Sequence, residues 1–377
     1  MTDMPLEDLV TGQGTAEVAV DDDIPEQVRQ TLADYLRIRV RECGDLDPAV
    51  AGAAEELVDF VLRGGKRIRP TFAWWGWRAA GGSAAGPEAT AMLRAASSLE
   101  LIQAGALMHD DLIDDSAIRR GSPTVHVRFS ESHREHGYAG DPRDFGRAAA
   151  VLLGDLALSW ADDMLRSAGL ESAAQARALG PWQAMRTEVL AGQYLDMLGQ
   201  ARADETPEAA LRIDELKAAS YTVQRPLEFG AETAGADRTT LGVLRRFGAD
   251  IGVAFQLRDD LLGVFGDPEV TGKPAGDDLR EGKRTLLVAE GMLRAKRHSD
   301  EAAVELLETS LGEAELTREG VQRVRDALDG LGAVEAVEKR IGTLTDSALS
   351  ALHEAELPEP AARALERLTV TVTDRDA

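Results

Sequence analysis

Leu99-Glu100-Leu101-Ile102-Gln103-Ala104-Gly105-Ala106-Leu107-Met108-His109-Asp110-Asp111-Leu112-Ile113-Asp114-Asp115-Ser116 runs an apolar stretch straight into four aspartates within six positions. Leu93 and Ala96 extend the same spacing backward, so the periodicity predicts a helix over 88–116. On that helix Asp110 and Asp114 lie four apart and share a face, as do Asp111 and Asp115 further round. Like charges at this spacing weaken an isolated helix by about 0.2–0.5 kcal/mol a pair. A row of carboxylate oxygens suits Mg²⁺, which takes few protein ligands and keeps water or phosphate oxygens. Taken alone, such a row is more often a solvated acidic helix end.

Apolar residues recur at helical spacing through most of the chain, in a composition led by Ala, Leu, Glu and Arg. Helices are predicted at 25–42, 50–63, 70–80, 88–116, 147–168, 172–200, 208–233, 240–264, 283–296, 300–311, 316–329, 333–353 and 359–368. No alternation long enough for a sheet and no repeat of 20–50 residues is present. The expected architecture is all-α, a single large helical bundle. Residues 1–23 lack periodicity, end in Asp21-Asp22-Asp23 and read as a flexible acidic tail. The folded domain is expected over 24–370, with a C-terminal tail over 371–377. Polar residues 121–147, with Gly121, Pro123, Gly137, Gly140 and Pro142, read as a long surface connection.

The 377 residues are 44% apolar, enough for a sizeable core, and carry a net charge of −24. That charge argues against a general nucleic-acid binder, and any anionic substrate must be gripped locally against the global field. The lone Cys43 excludes a disulfide scaffold and fits a reducing compartment. The opening MTDMPLEDLV carries acids where a secretory signal would carry Lys or Arg. The most apolar stretch, 148–164, is broken by Asp155, Asp162 and Asp163, so no membrane span is expected. A cytoplasmic protein is the expectation.

A second acidic group follows an apolar run at Phe255-Gln256-Leu257-Arg258-Asp259-Asp260-Leu261-Leu262-Gly263. Beyond it come Gly266-Asp267-Pro268, Thr271-Gly272-Lys273, Gly276-Asp277-Asp278, Lys283 and Arg284. Near the front, Arg63-Gly64-Gly65-Lys66-Arg67-Ile68-Arg69-Pro70 places glycines and cations before a helix start, a compact anion site of backbone N–H groups and fixed charge. Arg119-Arg120-Gly121 sits just past the first aspartates. Singly, each basic segment reads equally well as a surface loop.

In order, GGKRIRP (64–70), DDLID (110–114), RRG (119–121), GQYLD (192–196), Lys217, FQLRDD (255–260) and GDPEVTGKPAGDD (266–278) resemble the trans-isoprenyl diphosphate synthases, most of all the geranylgeranyl diphosphate synthases. The resemblance spans about residues 25–350 and implies the isoprenoid-synthase bundle with a central active-site cavity. It implies head-to-tail condensation of isopentenyl diphosphate with an allylic diphosphate held by three Mg²⁺ ions, in a homodimer. The matching metal ligands are Asp110, Asp111, Asp114, Asp259 and Asp260. Arg119, Lys217, Lys273 and Gln256 match positions at the allylic diphosphate, and Lys283 a further substrate position. Gly65, Lys66, Arg69, Gln103 and Arg120 match those toward isopentenyl diphosphate. In this family a bulky aromatic at the positions of Gly105 or Ala106 stops chain growth at farnesyl. Small residues there imply a C20 product, with Ile102 a later floor; close helix packing is an equally common use of such residues.

Three departures stand out. Gly263 replaces the last acid of the second motif, Gln103 a frequent His, and Ala218 a frequent Thr. A farnesyl or longer-chain synthase is the nearest alternative. A terpene cyclase would not need GGKRIRP or RRG, and a non-catalytic modulating subunit would be marked by loss of the first aspartates or of Lys273.

Overall fold

The computed structural model describes residues 20–266 and 276–373. Lys273 therefore lies outside the described residues, as do residues 1–19 and 374–377. Helix starts follow from short side chains that accept the first free N–H groups. Asp23 caps α1 (Ile24–Leu46) and Asp47 caps α2 (Pro48–Leu62). Asp141 caps α6 (Pro142–Arg166), Thr206 caps α8 (Pro207–Ile213) and Asp237 caps α10 (Arg238–Phe265). A proline in the first turn, as in α1, α2, α6 and α8, costs nothing where the N–H has no helical partner.

The bundle is built around α4 (Pro87–Ile113) and α10. The first packs against α6 and α3 (Ile68–Ala79). The second packs against α15 (Ala333–His353) and the segment 214–224. One core holds Trp74, Trp182, Phe72, Phe229 and Phe247, all fully buried. A second lies between α10, α12 (Leu286–His298), α14 (Arg318–Gly330) and α15. The long α7 (Ser172–Arg202) and α9 (Arg225–Ala234) join the first, and α13 (Glu301–Ser310) lies beside α12. A single turn, α11 (Asp277–Arg280), precedes α12.

Several expectations need correction. The polar connection 121–147 contains a helix, α5 (Val125–Glu135), packed on α6. Its buried face carries His126, Ser130 and His133 beside Val125, so an apolar pattern is nearly absent. Most of these polar atoms find local partners: Ser130 Oγ donates to His126 O, and His133 Nε2 lies 3.1 Å from Ala139 O, while His133 Nδ1 has no hydrogen-bond partner. A two-stranded hairpin, β1 (Ile118–Arg119) and β2 (Ser122–Pro123), also appears, turned through Arg120 (φ 52°) and Gly121 (φ 71°). Positive φ at both central residues matches the twist of a tight hairpin. At the N-terminus, Val20 is buried and Asp21 accepts hydrogen bonds from Trp74 Nε1 (2.8 Å) and Arg78, so the folded part begins before residue 24. At the other end α16 (Glu359–Thr373) runs past residue 370 and buries Val372 and Thr373.

The helix expected at 208–233 is one rod of three parts: α8, eleven π-helical residues Asp214–Gln224, and α9. The wide π turn places Lys217, Tyr221 and Thr222 along one cavity wall. Gly192 of α7 lets this rod approach: a Cβ there would overlap Lys217 N and lie 2.6 Å from its Cα. Asp214 is buried, and burial together with Asp196 pushes its carboxyl up to about 7.

Gly192→Ala is expected to lower folding stability by about 1–3 kcal/mol, read as a shifted denaturation midpoint, because the backbone of the rod must move. Asp214 binds its proton more tightly folded than unfolded, so it opposes folding increasingly as pH rises from about 4 to about 7. Asp214→Asn should flatten the fall in melting temperature of chelator-treated protein between those pH values; an unchanged slope contradicts the assignment.

Candidate active site

A cavity of about 1450 Å³ lies between α4, α7, the π segment and α10. Of the first acidic row, Asp110 lines it, near the end of α4, while Asp111 and Asp114 are not among the lining residues. The helix stops at Ile113 rather than 116, but Asp114 N still bonds to Asp110 O, so Asp110 and Asp114 keep one face. Asp115 turns outward at φ 50° to Arg143 and Arg147. From the opposite wall α10 contributes Gln256, Asp259 and Asp260, all lining the same cavity as Asp110.

The acids are pre-paired with cations. Arg119 donates through Nε to Asp111 (2.5 Å) and through Nη2 to Asp110 (3.1 Å). Lys217 Nζ lies 3.0 Å from Asp110 and 2.6 Å from Asp196. Lys283 Nζ sits 2.5 Å from Glu281, 3.4 Å from Asp278 and 3.8 Å from Asp114. Burial opposes ionisation of Asp110, but Lys217, Lys283 and Arg119 outweigh it and hold its carboxyl below the usual carboxylate range. One turn away the balance reverses: burial and the Asp110 charge push Asp114 up to about 6. Asp260 lies well above its ordinary value through burial and the Asp214 and Asp278 carboxylates, although Gln256 Nε2 donates to its Oδ1 at 2.7 Å.

At the other end Gly65, Lys66, Arg69, Gln103 and Arg120 line the cavity together. Arg69 lies over the Tyr221 ring, 4.0 Å from its centroid, and donates to Thr222 Oγ1 at 2.8 Å. Arg67 is spent on Glu100 (2.5 Å) and on Val61 O. The hairpin turn sends Arg119 to the aspartates and Arg120 back toward Gly65, whose missing side chain admits the guanidinium: a Cβ would lie 3.4 Å from Arg120 Nη1. Burial lowers the pKa of Arg120, and the neighbouring Arg67, Arg119 and Arg69 add to that. Arg67 and Arg120 both hold left-handed backbone, a strain found where chains position functional groups. Arg69, half-buried, and Arg120, exposed, leave positive charge on this wall, a setting that suits an anion.

The chain-length residues divide. Ala106 lines the cavity beneath Asp110, with Leu107, Ile113 and Val151. Gly105 instead faces α6, where a Cβ would lie 2.9 Å from Gly154 O and from Leu158 Cγ, so its smallness serves helix packing. Ile102 is fully buried and is not among the residues that line this cavity. Sequence reasoning assigned no role to Asp196, Asp214, Tyr221 or Thr222. Asp196 stood inside the quoted GQYLD, and Tyr221, four residues after Lys217, falls on its face.

Among the described residues no three acids or imidazoles converge closely enough to hold an ion by themselves. The donor set nevertheless fits Mg²⁺, which accepts one or two carboxylates plus phosphate oxygens. Asp260 Oδ2 is a buried oxygen with no hydrogen-bond partner, and Asp114 Oδ2 has none beyond the Lys283 ammonium at 3.8 Å. Such orphaned acceptors are costly unless something electropositive meets them.

The polyprenyl synthetase family model matches residues 52–328. A short-chain isoprenyl diphosphate synthase from Methanothermobacter thermautotrophicus is 32% identical over 75% of this chain and 79% of its own. A geranylfarnesyl diphosphate synthase from Aeropyrum pernix is 31% identical over 74% and 88%. A crystal structure of geranylgeranyl pyrophosphate synthase from Corynebacterium glutamicum, complexed with isoprenyl diphosphate and magnesium, superposes with a TM-score of 0.90 at 44% identity, covering 94% of this chain and 99% of that one. Products named among matching relatives run from farnesyl to octaprenyl diphosphate. The expectation of an isoprenoid-synthase bundle is met, and the chain belongs to the polyprenyl synthetase family, as a trans-prenyltransferase.

Proposed function

We propose that this enzyme joins isopentenyl diphosphate to an allylic diphosphate, with Mg²⁺, to give geranylgeranyl diphosphate. One observation carries the reading: Asp110, Asp259 and Asp260 line a single cavity with Lys66, Arg69 and Arg120. Two anion sites, one acidic and one basic, suit two diphosphates handled differently.

Asp110 and Asp114 with Asp259 would hold divalent cations, three by resemblance, against the allylic diphosphate; Asp111 and Asp260 support them. The ions supply Lewis-acid charge to a leaving group. Arg119 and Lys217, already at the cavity wall, donate hydrogen bonds to the same diphosphate as its C–O bond lengthens, and Lys273 is assigned there by resemblance. Such donors act where charge develops. Lys66, Arg69 and Arg120 grip isopentenyl diphosphate, and Gln103 donates to it. Gln256 orients Asp260 through its 2.7 Å bond. The double bond of isopentenyl diphosphate attacks the allylic carbon, a proton leaves, and the freed pyrophosphate is its acceptor. Lys283 holds the Asp114 and Asp278 carboxylates in place before substrate arrives.

The growing chain runs past Ala106, which is small, toward Ile113, Val151 and Leu190. These three are also partly exposed, next to Leu152 (68%) and Tyr194 (62%). An exposed apolar face of that kind fits a second copy of the chain, and a homodimer would close the far end of the cavity. Among the described residues no helix is long and apolar enough to cross a membrane. The lone buried Cys43 accords with a cytoplasmic setting.

Purified protein given isopentenyl diphosphate, Mg²⁺ and dimethylallyl, geranyl or farnesyl diphosphate should yield a C20 chain on chromatography. Absence of chain growth from every primer contradicts the reading. Ala106→Phe should shift the product to farnesyl diphosphate; unchanged product length would show that this wall does not line the tail path. Lys217→Ala should cut kcat by about a hundredfold or more, with a smaller change in KM.

A further inference from the structure

The second acidic row has a gap. Position 263 lies four residues after Asp259 and so on its face of α10, about 6 Å along the axis. It opens on the cavity and is glycine. The space is not empty. A Cβ built on Gly263 would overlap Asp278 Oδ2 and lie 2.7 Å from its Cγ. The chain reaches this point through Gly276, at φ 74°, which starts α11 and brings Asp278 against α10. Asp278 is 9% exposed, and its Oδ1 lies 3.4 Å from Lys283 Nζ.

A second feature points to a ligand at the same wall. Asp260 is 4% exposed, its Oδ1 is held by Gln256, and its Oδ2 has no hydrogen-bond partner. Asp278 and Asp260 line the same cavity. Bringing a further acid to a buried, already repelling pair is unfavourable for folding alone. It is explicable where a cation is to be shared among them.

We propose that Asp278 supplies from outside the helix the carboxylate that position 263 lacks, and that residue 263 is glycine to admit it. The second bank toward a divalent cation is then Asp259, Asp260 and Asp278. This inference rests on the diphosphate-and-metal reading above.

The test is calorimetric binding of inorganic pyrophosphate to the full chain over a range of Mg²⁺ concentrations, with melting temperatures taken in chelator. Asp278→Asn should keep the chelator melting temperature and raise the Mg²⁺ concentration for half-maximal pyrophosphate binding about tenfold or more. The double variant Gly263→Asp with Asp278→Ala returns the carboxylate to the helix and should recover most of that loss. A residue serving only as counter-ion to Lys283 would lower the chelator melting temperature and leave the Mg²⁺ dependence alone. An unchanged Mg²⁺ dependence in Asp278→Asn, or a folded double variant with no recovery, overturns the proposal and leaves the function intact. Should Asp278→Asn not fold, the double variant decides. If the unaltered protein shows no Mg²⁺-dependent pyrophosphate binding, both the inference and the functional reading fail.

Discussion

The Lys217 ammonium, 3.0 Å from Asp110 and 2.6 Å from Asp196, is the contact on which the site depends. Carboxylates from α4, α7 and α10 face one enclosed space, where charges repel far more strongly than in water. Burial opposes the Lys217 charge, yet Asp110 and Asp196 outweigh that and raise its pKa. The rod around it is shaped to hold it there. Its backbone widens into π turns, and Gly192 of α7 clears the approach. Arg119 and Lys283 complete the balance from the hairpin and from the segment after α11.

A chain with a net charge of −24 is an unpromising receptor for two diphosphates. The answer in the fold is local segregation. Lys66, Arg69 and Arg120 gather at one end, where Arg67 is committed to Glu100 and the remaining guanidiniums crowd one another. At the other end acid and base are interleaved, so that Asp110 stays ionised while Asp114, one turn away, sits near 6. In the reading proposed here, the acidic end needs cations before it can take an anion, and the basic end does not. That difference separates a diphosphate that leaves from one that is merely held.

Much of this was legible in the chain. Long runs of helical spacing interrupted by Pro and Gly made the all-α bundle readable, because apolar residues recur at that spacing along most of the helices. The two acidic rows and the cationic front segment were readable because their residue types are few and their spacing is regular. What escaped detection did so for physical reasons. Helix α5 buries His126, Ser130 and His133 instead of aliphatic side chains, so no hydrophobic stripe marks it. The π turns leave no signature in spacing. Gly105 and Ala106 are adjacent small residues, and only packing shows that one meets α6 while the other meets the cavity. The Gly263–Asp278 contact joins residues fifteen apart through a turn, and local patterns cannot register it.

The central claim is that two banks of aspartate, one on α4 and one on α10, share one diphosphate through divalent ions. Anomalous scattering from Mn²⁺ in crystals grown with inorganic pyrophosphate tests it most directly. The account predicts Mn²⁺ peaks that touch Asp110 or Asp114 on one side, Asp259 on the other, and pyrophosphate oxygens between them. Mn²⁺ bound to one bank alone, with pyrophosphate elsewhere, would contradict it.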